Sequence, residues 1–99
     1  MQTNTQYLLG KLAEEAAELA QIAIKAQQFG LHEVFGGQGD NPLSNVQRIE
    51  NEFNDVIGII DMLNSEAHAG IDEDPDKVLA KRHKVNKWRD YAREQGLVE

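Results

Sequence analysis

Two short acidic segments of this chain have the residue types and the spacing of a metal site. Glu15 precedes Glu18 by three residues, and Glu52 precedes Asp55 by the same interval. Residues three apart lie on one face of an α-helix, so each segment presents two carboxylates side by side. Two such helices packed together would gather four carboxylates, which suit a hard divalent cation such as Mg²⁺ or Mn²⁺.

The helix that carries the first acidic pair is predicted to run from about Thr5 to Phe29. Its apolar residues recur at helical spacing: Leu8, Leu12, Leu19, Ile22, Ala23 and Ala26. Glu15 falls inside this apolar face and Glu18 at its border, whereas Glu14 points to solvent. A charge on a core-facing stripe is costly unless it is paired or bound to metal. Glu15 therefore either meets a Lys or Arg of another helix or helps to hold a cation.

A glycine-rich loop is predicted between the first two helices, from Gly30, which stops the first helix, to Asn41. A loop of this length in a small domain is often functional, as a lid or as a binding loop. Phe35 lies within it and could stack on a ligand. The commoner arrangement, and the one we favour, has such an aromatic ring packed against the core.

The second helix is predicted to begin near Pro42 or at the capping sequence that starts with Ser44, and to end before Gly70. It has a broad apolar face: Val46, Ile49, Phe53, Val56, Ile57, Ile60, Leu63 and Ala67. Glu52 lies inside this face and Asp55 at its edge. The second helix thus repeats the placement of the first acidic pair, and this repetition favours a metal site over two unrelated structural acids.

A third helix is predicted from about Pro75 to Glu94, either continuous or interrupted midway, with Asp74 as its N-cap. Valine and alanine recur on it every seven residues and predict a narrow buried seam: Val78, Val85 and Ala92. Trp88 and Tyr91 are expected to pack beside that seam. The helix is therefore predicted to contact the other two through one apolar edge.

The charges of the chain are unevenly distributed. The net charge is −7, yet the segment 77–93 carries +6 and the remainder −13. Such asymmetry is typical of an anion-binding element beside a cation-binding element. It is equally what a fold would show if its basic and acidic regions simply attracted each other. Both interpretations stay open at this point.

Length and composition predict one soluble domain over residues 1–99. The chain has no cysteine, which excludes disulfides and thiolate metal sites and suits the cytoplasm, where we expect the protein. No apolar stretch is long enough to cross a membrane, and the first residues do not resemble a signal peptide. A domain this small would gain stability by oligomerisation.

Other metal and nucleotide chemistries lack their residues. A di-iron carboxylate bundle needs Glu-x-x-His pairs, and none of His32, His68 and His83 follows a glutamate at that interval. Catalytic zinc is disfavoured because histidines are not clustered and cysteines are absent. There is no P-loop. Four carboxylates with a basic helix instead suggest Mg²⁺-dependent hydrolysis of a phosphoanhydride.

The paired acidic motifs resemble the signature of the all-α nucleoside triphosphate pyrophosphohydrolases, the MazG-like superfamily, and especially its small members, including phage-encoded ones. Glu14-Glu15-x-x-Glu18-Leu19 is similar to the first motif helix and Glu52-x-x-Asp55-Val56 to the second. Asn86-x-x-Arg89 resembles a family element near the triphosphate. The resemblance covers roughly Leu8 to Tyr91. Thirty-three residues separate the two motifs, more than is usual in the family.

The resemblance implies an all-α antiparallel helical bundle that assembles as a homodimer or homotetramer. It implies that Glu15, Glu18, Glu52 and Asp55 are the metal ligands and catalytic carboxylates, with Mg²⁺, or Mn²⁺ in its place. The substrate would be a nucleoside triphosphate, cleaved between the α- and β-phosphates to a monophosphate and pyrophosphate. Five residues of the third helix are implied as phosphate contacts: Lys81, Arg82, Lys84, Asn86 and Arg89.

Two other functions are compatible with the same residues. One is a non-catalytic helical oligomer whose basic third helix binds nucleic acid or a protein partner, although the net charge of −7 disfavours nucleic acid. The other is a purely structural oligomer in which the acids are paired internally.

Overall fold

Three α-helices make up the regular structure, in a computed structural model that describes residues 1–99. They are α1 (Asn4–Phe29), α2 (Asn45–Ala67) and α3 (Pro75–Glu94). The prediction of an all-α chain with three helices is confirmed, and each boundary lies within a few residues of the expected one. None of these helices combines the length and the apolar character that a membrane span requires.

The start of α2 is fixed by the capping box at Ser44, and the alternative start near Pro42 is wrong. The Gln47 backbone N–H donates to Ser44 Oγ at 3.3 Å, and the Ser44 N–H donates to Gln47 Oε1 at 2.9 Å. The same reciprocal arrangement between Thr3 and Gln6 begins α1. Both caps satisfy N–H groups that have no partner within the helix itself.

The first two helices form an antiparallel hairpin. The start of α1 meets the end of α2, where Asn4 Nδ2 donates to Glu66 Oε1 at 3.2 Å. Leu8 and Ile22 of α1 and Leu63 of α2 are the buried apolar side chains of the chain. They lie on the stripes that periodicity predicted, so the apolar pattern specifies which faces of α1 and α2 meet.

The loop between α1 and α2 is held in place by Asn45. This side chain is fully buried, and its Nδ2 donates to the Gly30 carbonyl at 2.9 Å. Its backbone N–H donates to the Glu33 carbonyl at 2.9 Å. Gly30 itself has φ +104°, which glycine adopts without the steric cost of a Cβ. The loop therefore leaves α1 and enters α2 through defined hydrogen bonds.

Phe35 packs within the hairpin and does not project as a free stacking platform. Its ring meets Phe29 edge-on at 5.7 Å between centroids. Lys25 Nζ lies 5.5 Å from the ring centroid of Phe35, and the guanidinium of Arg48 lies 6.0 Å from it. The packed arrangement favoured from the sequence is the one observed, and it engages two of the three cations that lie outside α3.

Removing the Asn45 side chain should destabilise the hairpin. The Asn45→Ala variant removes the shorter of the two hydrogen bonds to the Gly30 carbonyl and leaves only the long one from the Glu33 N–H at 3.4 Å. Loss of a buried hydrogen-bond partner typically costs about 1–3 kcal/mol. Asn54→Ala is the matched control, because the exposed Asn54 side chain donates only to the Glu50 carbonyl of its own helix. In urea unfolding, the midpoint concentration of urea should be much lower for Asn45→Ala than for the wild type, and only slightly lower for Asn54→Ala. Equal midpoints would show that Asn45 does not fix the loop.

The third helix stands apart from the hairpin. It is continuous from Pro75 to Glu94 and is capped by Asp74, whose Oδ1 accepts from the Asp76 N–H at 2.9 Å. No Cα of α3 lies within 8 Å of a Cα of α1 or α2. The predicted burial of its seam is wrong within one chain, since Val78 and Val85 are each 47% exposed. The seven-residue repeat identified an apolar edge, but nothing in the same chain covers it.

Candidate metal centre

The hairpin brings three of the four predicted carboxylates together. Glu15 and Glu18 come from α1, and Glu52 comes from the stripe of α2 that faces α1. One carboxylate oxygen from each lies within 4.8 Å of the other two. Glu15 and Glu52 are half-buried and Glu18 is exposed, which is the order that the helical projection predicts. Asp55 is exposed and lies outside this group.

These three glutamates have no cationic partner. The ion pairs of the molecule are Lys11 with Glu14 at 3.2 Å, and Asp90 with Arg93 at 3.8 Å. Glu14 is thus the solvated member of its acidic segment, paired with a neighbour one turn earlier. The alternative in which Glu15 meets a Lys or Arg of another helix is not observed, and neither is an internally paired structural role for the inward acids.

Two oxygens of the cluster are buried without any hydrogen-bond partner. They are Glu15 Oε2 and Glu52 Oε2. A buried, charged oxygen without a partner is strongly unfavourable, because the desolvation cost is not compensated by a donor or a cation. Both atoms belong to the same three-carboxylate group, so a single positive charge placed among the carboxylates would satisfy both.

The pKa of Glu52 is raised to about 7. The largest cause is the Glu15 carboxyl, which lies close enough to accept a hydrogen bond from a protonated Glu52. Burial adds to the rise, and so do the proximity and the negative charge of the Glu18 carboxyl. Like-charged carboxylates that share a site cannot all ionise cheaply. Near neutral pH the cluster therefore either retains a proton or needs a cation.

The donor set fits a hard divalent ion. It consists of carboxylate oxygens only, contributed by two helices, and it contains no nitrogen or sulfur donor that would favour zinc or copper. The two unpartnered oxygens also favour a bound cation, independently of the sequence motif, because a cation would satisfy both of them. Three carboxylates would leave coordination positions for water and for substrate phosphates, as is usual for Mg²⁺.

Asp55 is the predicted ligand that the structure does not bring into the group. It lies one helical turn beyond Glu52, on the side of α2 next to the cluster, and its carboxylate is exposed. A residue at the border of an apolar stripe has no packing force that turns its side chain inward. Its proposed role as the fourth carboxylate therefore rests on the motif.

Four of the five predicted phosphate contacts lie together on α3. Lys81, Arg82, Asn86 and Arg89 line a shallow basic cavity of about 330 Å³ together with Val85. The Arg89 guanidinium donates to Asn86 Oδ1, which orients both side chains. Lys84 is exposed and does not line this cavity. No hydrogen bond or ion pair connects the basic residues of α3 to the acidic cluster of the same chain.

An apolar cleft at the corner between α2 and α3 was not singled out from the sequence. It has a volume of about 620 Å³. Its lining combines apolar and acidic residues: Phe53, Ile57, Ile60, Asp61, Asn64, Ile71, Asp72, Glu73 and Val78. The sequence feature that could have revealed this cleft is the apolar face of α2, which is wider than one neighbouring helix can cover.

Comparison with known proteins gave no relative of this chain. No protein-family model matches it, and neither a curated protein nor a solved structure does so.

Proposed function

We propose that this protein is a Mg²⁺-dependent nucleoside triphosphate pyrophosphohydrolase of the MazG-like type. The observation that carries the proposal is the convergence of Glu15, Glu18 and Glu52 with two buried oxygens that lack partners. A structural cluster would be expected to contain a neutralising Lys or Arg, and this one contains none. The spacing of both acidic pairs matches the motif of that superfamily.

In this proposal the carboxylates hold the cation and orient the attacking water. Bound Mg²⁺ would neutralise the substrate phosphates and polarise their oxygens. Glu15, Glu18 and Glu52 are the residues that would hold it, with Asp55 as the fourth carboxylate. A carboxylate of the group takes a proton from the water as it attacks the α-phosphorus. The bond to the bridging oxygen breaks, which yields a nucleoside monophosphate and pyrophosphate.

The basic residues of α3 are proposed to hold the outer phosphates. Arg82 and Arg89 suit phosphate oxygens, because the planar guanidinium group of arginine presents several hydrogen-bond donors at once. Lys81, Lys84 and Asn86 add donors on the same helix. Since α3 does not contact the cluster of its own chain, this part of the site requires the α3 of a neighbouring subunit or a closure of the chain around substrate.

The decisive assay identifies the products. The protein is incubated with a panel of ribo- and deoxyribonucleoside triphosphates, including modified bases, and ³¹P NMR follows the phosphates. We expect pyrophosphate and the monophosphate to appear with Mg²⁺ and not with EDTA. Release of inorganic phosphate and a diphosphate would contradict cleavage at the α-phosphorus. No turnover of any member of the panel would contradict the enzymatic role.

Asp55→Asn should separate turnover from metal affinity. Because Asp55 lies outside the three-carboxylate group, its loss should weaken Mn²⁺ binding by less than about tenfold, the lower end of what supporting residues contribute. Its loss should still lower kcat by more than that factor if it completes the site around substrate. Calorimetry and pyrophosphate release measure the two quantities, and an unchanged kcat would remove Asp55 from the site.

A second candidate function follows from the exposure of α3. Apart from the half-buried Ala92, every residue of this helix is exposed, and the segment 77–93 carries +6. Such a helix could bind nucleic acid or an acidic protein without any catalysis. Under that function, neutralising Lys84 and Arg89 together would abolish salt-sensitive binding to DNA or RNA in an electrophoretic shift assay. The wild-type protein should show no such binding if it is a pyrophosphohydrolase only.

A further inference from the structure

We propose that α3 is an exchanged arm, and that its distal half packs into the α2–α3 corner cleft of a second copy of this chain. The arm is defined here as residues 81–94 of α3. The cleft is the 620 Å³ cavity whose apolar floor is Phe53, Ile57 and Ile60. In a two-fold dimer each chain gives its arm and receives its partner's, so that two equivalent contacts form.

A single chain exposes far more surface than a compact monomer of its size. Its accessible surface is 7925 Å², whereas the size scaling for monomeric proteins gives about 5,700 Å². The excess of about 2,200 Å² per chain, summed over two chains, falls within the roughly 2,000–5,000 Å² that obligate homodimers bury. The radius of gyration is 17.2 Å, against about 13 Å for a compact domain of 100 residues.

The buried core of one chain is correspondingly small. Only Leu8, Ile22 and Leu63 among the apolar side chains are buried. Large apolar residues remain exposed on both parts that the proposal joins, including Phe53 at 55% on the cleft floor and Trp88 at 57% on the arm. A chain with three buried apolar side chains needs additional burial from a neighbour to offset the loss of conformational entropy on folding.

The cleft has the chemistry of a groove for a basic amphipathic helix. Its floor is aliphatic and aromatic, and three acidic residues stand among its lining side chains: Asp61, Asp72 and Glu73. None of these acids forms an ion pair within the chain. The cleft therefore offers an apolar strip beside unpaired negative charge, which selects a ligand with an apolar strip beside positive charge.

The arm is such a ligand. Val85 and Ala92 continue its apolar edge from Val78, and Trp88 lies next to them at helical spacing. Trp88 meets Tyr91 edge-on at 6.2 Å between ring centroids. Lysine and arginine side chains occupy the positions on both sides of this edge, and the 77–93 segment carries +6 against −13 for the rest of the chain. Apolar and charged surfaces are thus both complementary to the cleft.

The contact cannot form within one chain in this arrangement. Val78, at the start of α3, already lines the cleft of its own chain. From there α3 continues without a break to Glu94, and no Cα of it returns within 8 Å of the hairpin. A continuous helix cannot fold back onto the corner from which it leaves. The occupant of the cleft is therefore the arm of another copy.

The first test is the oligomeric state of three variants, measured by sedimentation velocity across a concentration series. The wild-type chain should be dimeric or a higher even multimer at micromolar concentration. Ile57→Glu in the cleft and Val85→Glu on the arm should each weaken the association by at least about 100-fold, since each buries an unpaired charge. Leu79→Glu is the control, because Leu79 is equally exposed but lies on another face of α3.

Mixing the two defective chains distinguishes arm exchange from other dimers. A heterodimer of Ile57→Glu with Val85→Glu keeps one intact contact, because the normal arm of the first chain meets the normal cleft of the second. Association should therefore return in the mixture although neither variant associates alone. Circular dichroism establishes that each variant remains helical before mixing.

Disulfide trapping provides a readout that does not depend on destabilising variants. The chain has no cysteine, so single Ile57→Cys and Val85→Cys chains can be mixed and oxidised. A covalent heterodimer of these two should form faster than one of Ile57→Cys with Leu79→Cys. A monomeric wild type, equal trapping in both mixtures, or a dimer lost only with Ile57→Glu and kept with Val85→Glu would each overturn the proposal. The last result would indicate pairing of hairpins through the cleft, without the arm.

Discussion

Glu52→Gln should abolish Mg²⁺-dependent release of pyrophosphate. Glu52 is the member of the cluster contributed by α2, and one of its carboxylate oxygens lies within 4.8 Å of carboxylate oxygens of Glu15 and Glu18. Changes in residues that merely support metal ligands typically cost about 10–100-fold, so loss of a ligand should cost more than about 100-fold in kcat/KM. Glu15→Gln should behave alike, because it removes the other half-buried carboxylate. Pyrophosphate release at saturating Mg²⁺ measures both.

The matched controls are acids that neighbour the cluster in sequence but point away from it. Glu14 is paired with Lys11 on the surface of α1, and Glu50 is exposed on α2. Glu14→Gln and Glu50→Gln remove the same charge and should retain nearly full activity. Equal losses in all four variants would indicate a general effect of charge. Full activity in Glu52→Gln would remove the cluster from the reaction.

The same Glu52→Gln variant should be more stable than wild type when no divalent metal is present. The folded protein holds three crowded carboxylates, and the pKa of Glu52 is raised from 4.5 to about 7 by its contacts with Glu15 and Glu18 and by burial. An amide at this position carries no charge to desolvate and can donate to the neighbouring carboxylates. At pH 8 with EDTA we expect the Tm to rise by about 4 °C or more, which corresponds to roughly 1 kcal/mol for a chain of this size.

The stability of the metal-free wild type should fall as the pH rises, for the same reason that Glu52→Gln is expected to be stabilising. A carboxyl whose pKa is higher in the folded state binds its proton more tightly when folded than when unfolded. Its contribution to stability is therefore fully present below about pH 4.5 and is lost as the pH rises through about 7. Thermal melts in EDTA should show the wild-type Tm falling over this window more steeply than that of Glu52→Gln. Glu50→Gln should follow the wild-type curve, and an unchanged slope in Glu52→Gln would contradict the assignment.

Higher stability together with lost activity would be hard to explain by misfolding. A variant that fails because its hairpin is damaged loses both stability and turnover. A variant that removes the repulsion among the three carboxylates gains stability and loses function. The crowded carboxylates destabilise the metal-free fold, but the proposed reaction needs them to bind the ion. The two effects of Glu52→Gln are therefore more informative together than either one is alone.

The hairpin and the inward acids could be predicted because apolar periodicity specifies helix faces. Leu8, Ile22 and Leu63 define the stripes that meet, and their register places Glu15 opposite Glu52. Asp55 could not be placed in the same way. It stands at the edge of its stripe, where packing does not determine whether the side chain turns toward the cluster or toward water.

The burial of α3 could not be predicted, because periodicity reveals an apolar edge but not the chain that covers it. Val78 and Val85 recur at seven residues, as a buried seam would, and both are exposed in a single chain. Asn45 was missed for a related reason. Its partners are the backbone carbonyl of Gly30 and the loop around Glu33, and only the folded loop brings these groups to it.

Calorimetric titration of Mn²⁺ or Mg²⁺ into the metal-free protein tests the carboxylate site most directly, because it requires neither a substrate nor an active assembly. The wild type and the Glu14→Gln control should bind the ion with the same affinity at pH 8. Glu15→Gln and Glu52→Gln should bind it at least about 100-fold more weakly. Failure of the wild type to bind, or equal binding by all four proteins, would contradict a metal centre formed by Glu15, Glu18 and Glu52.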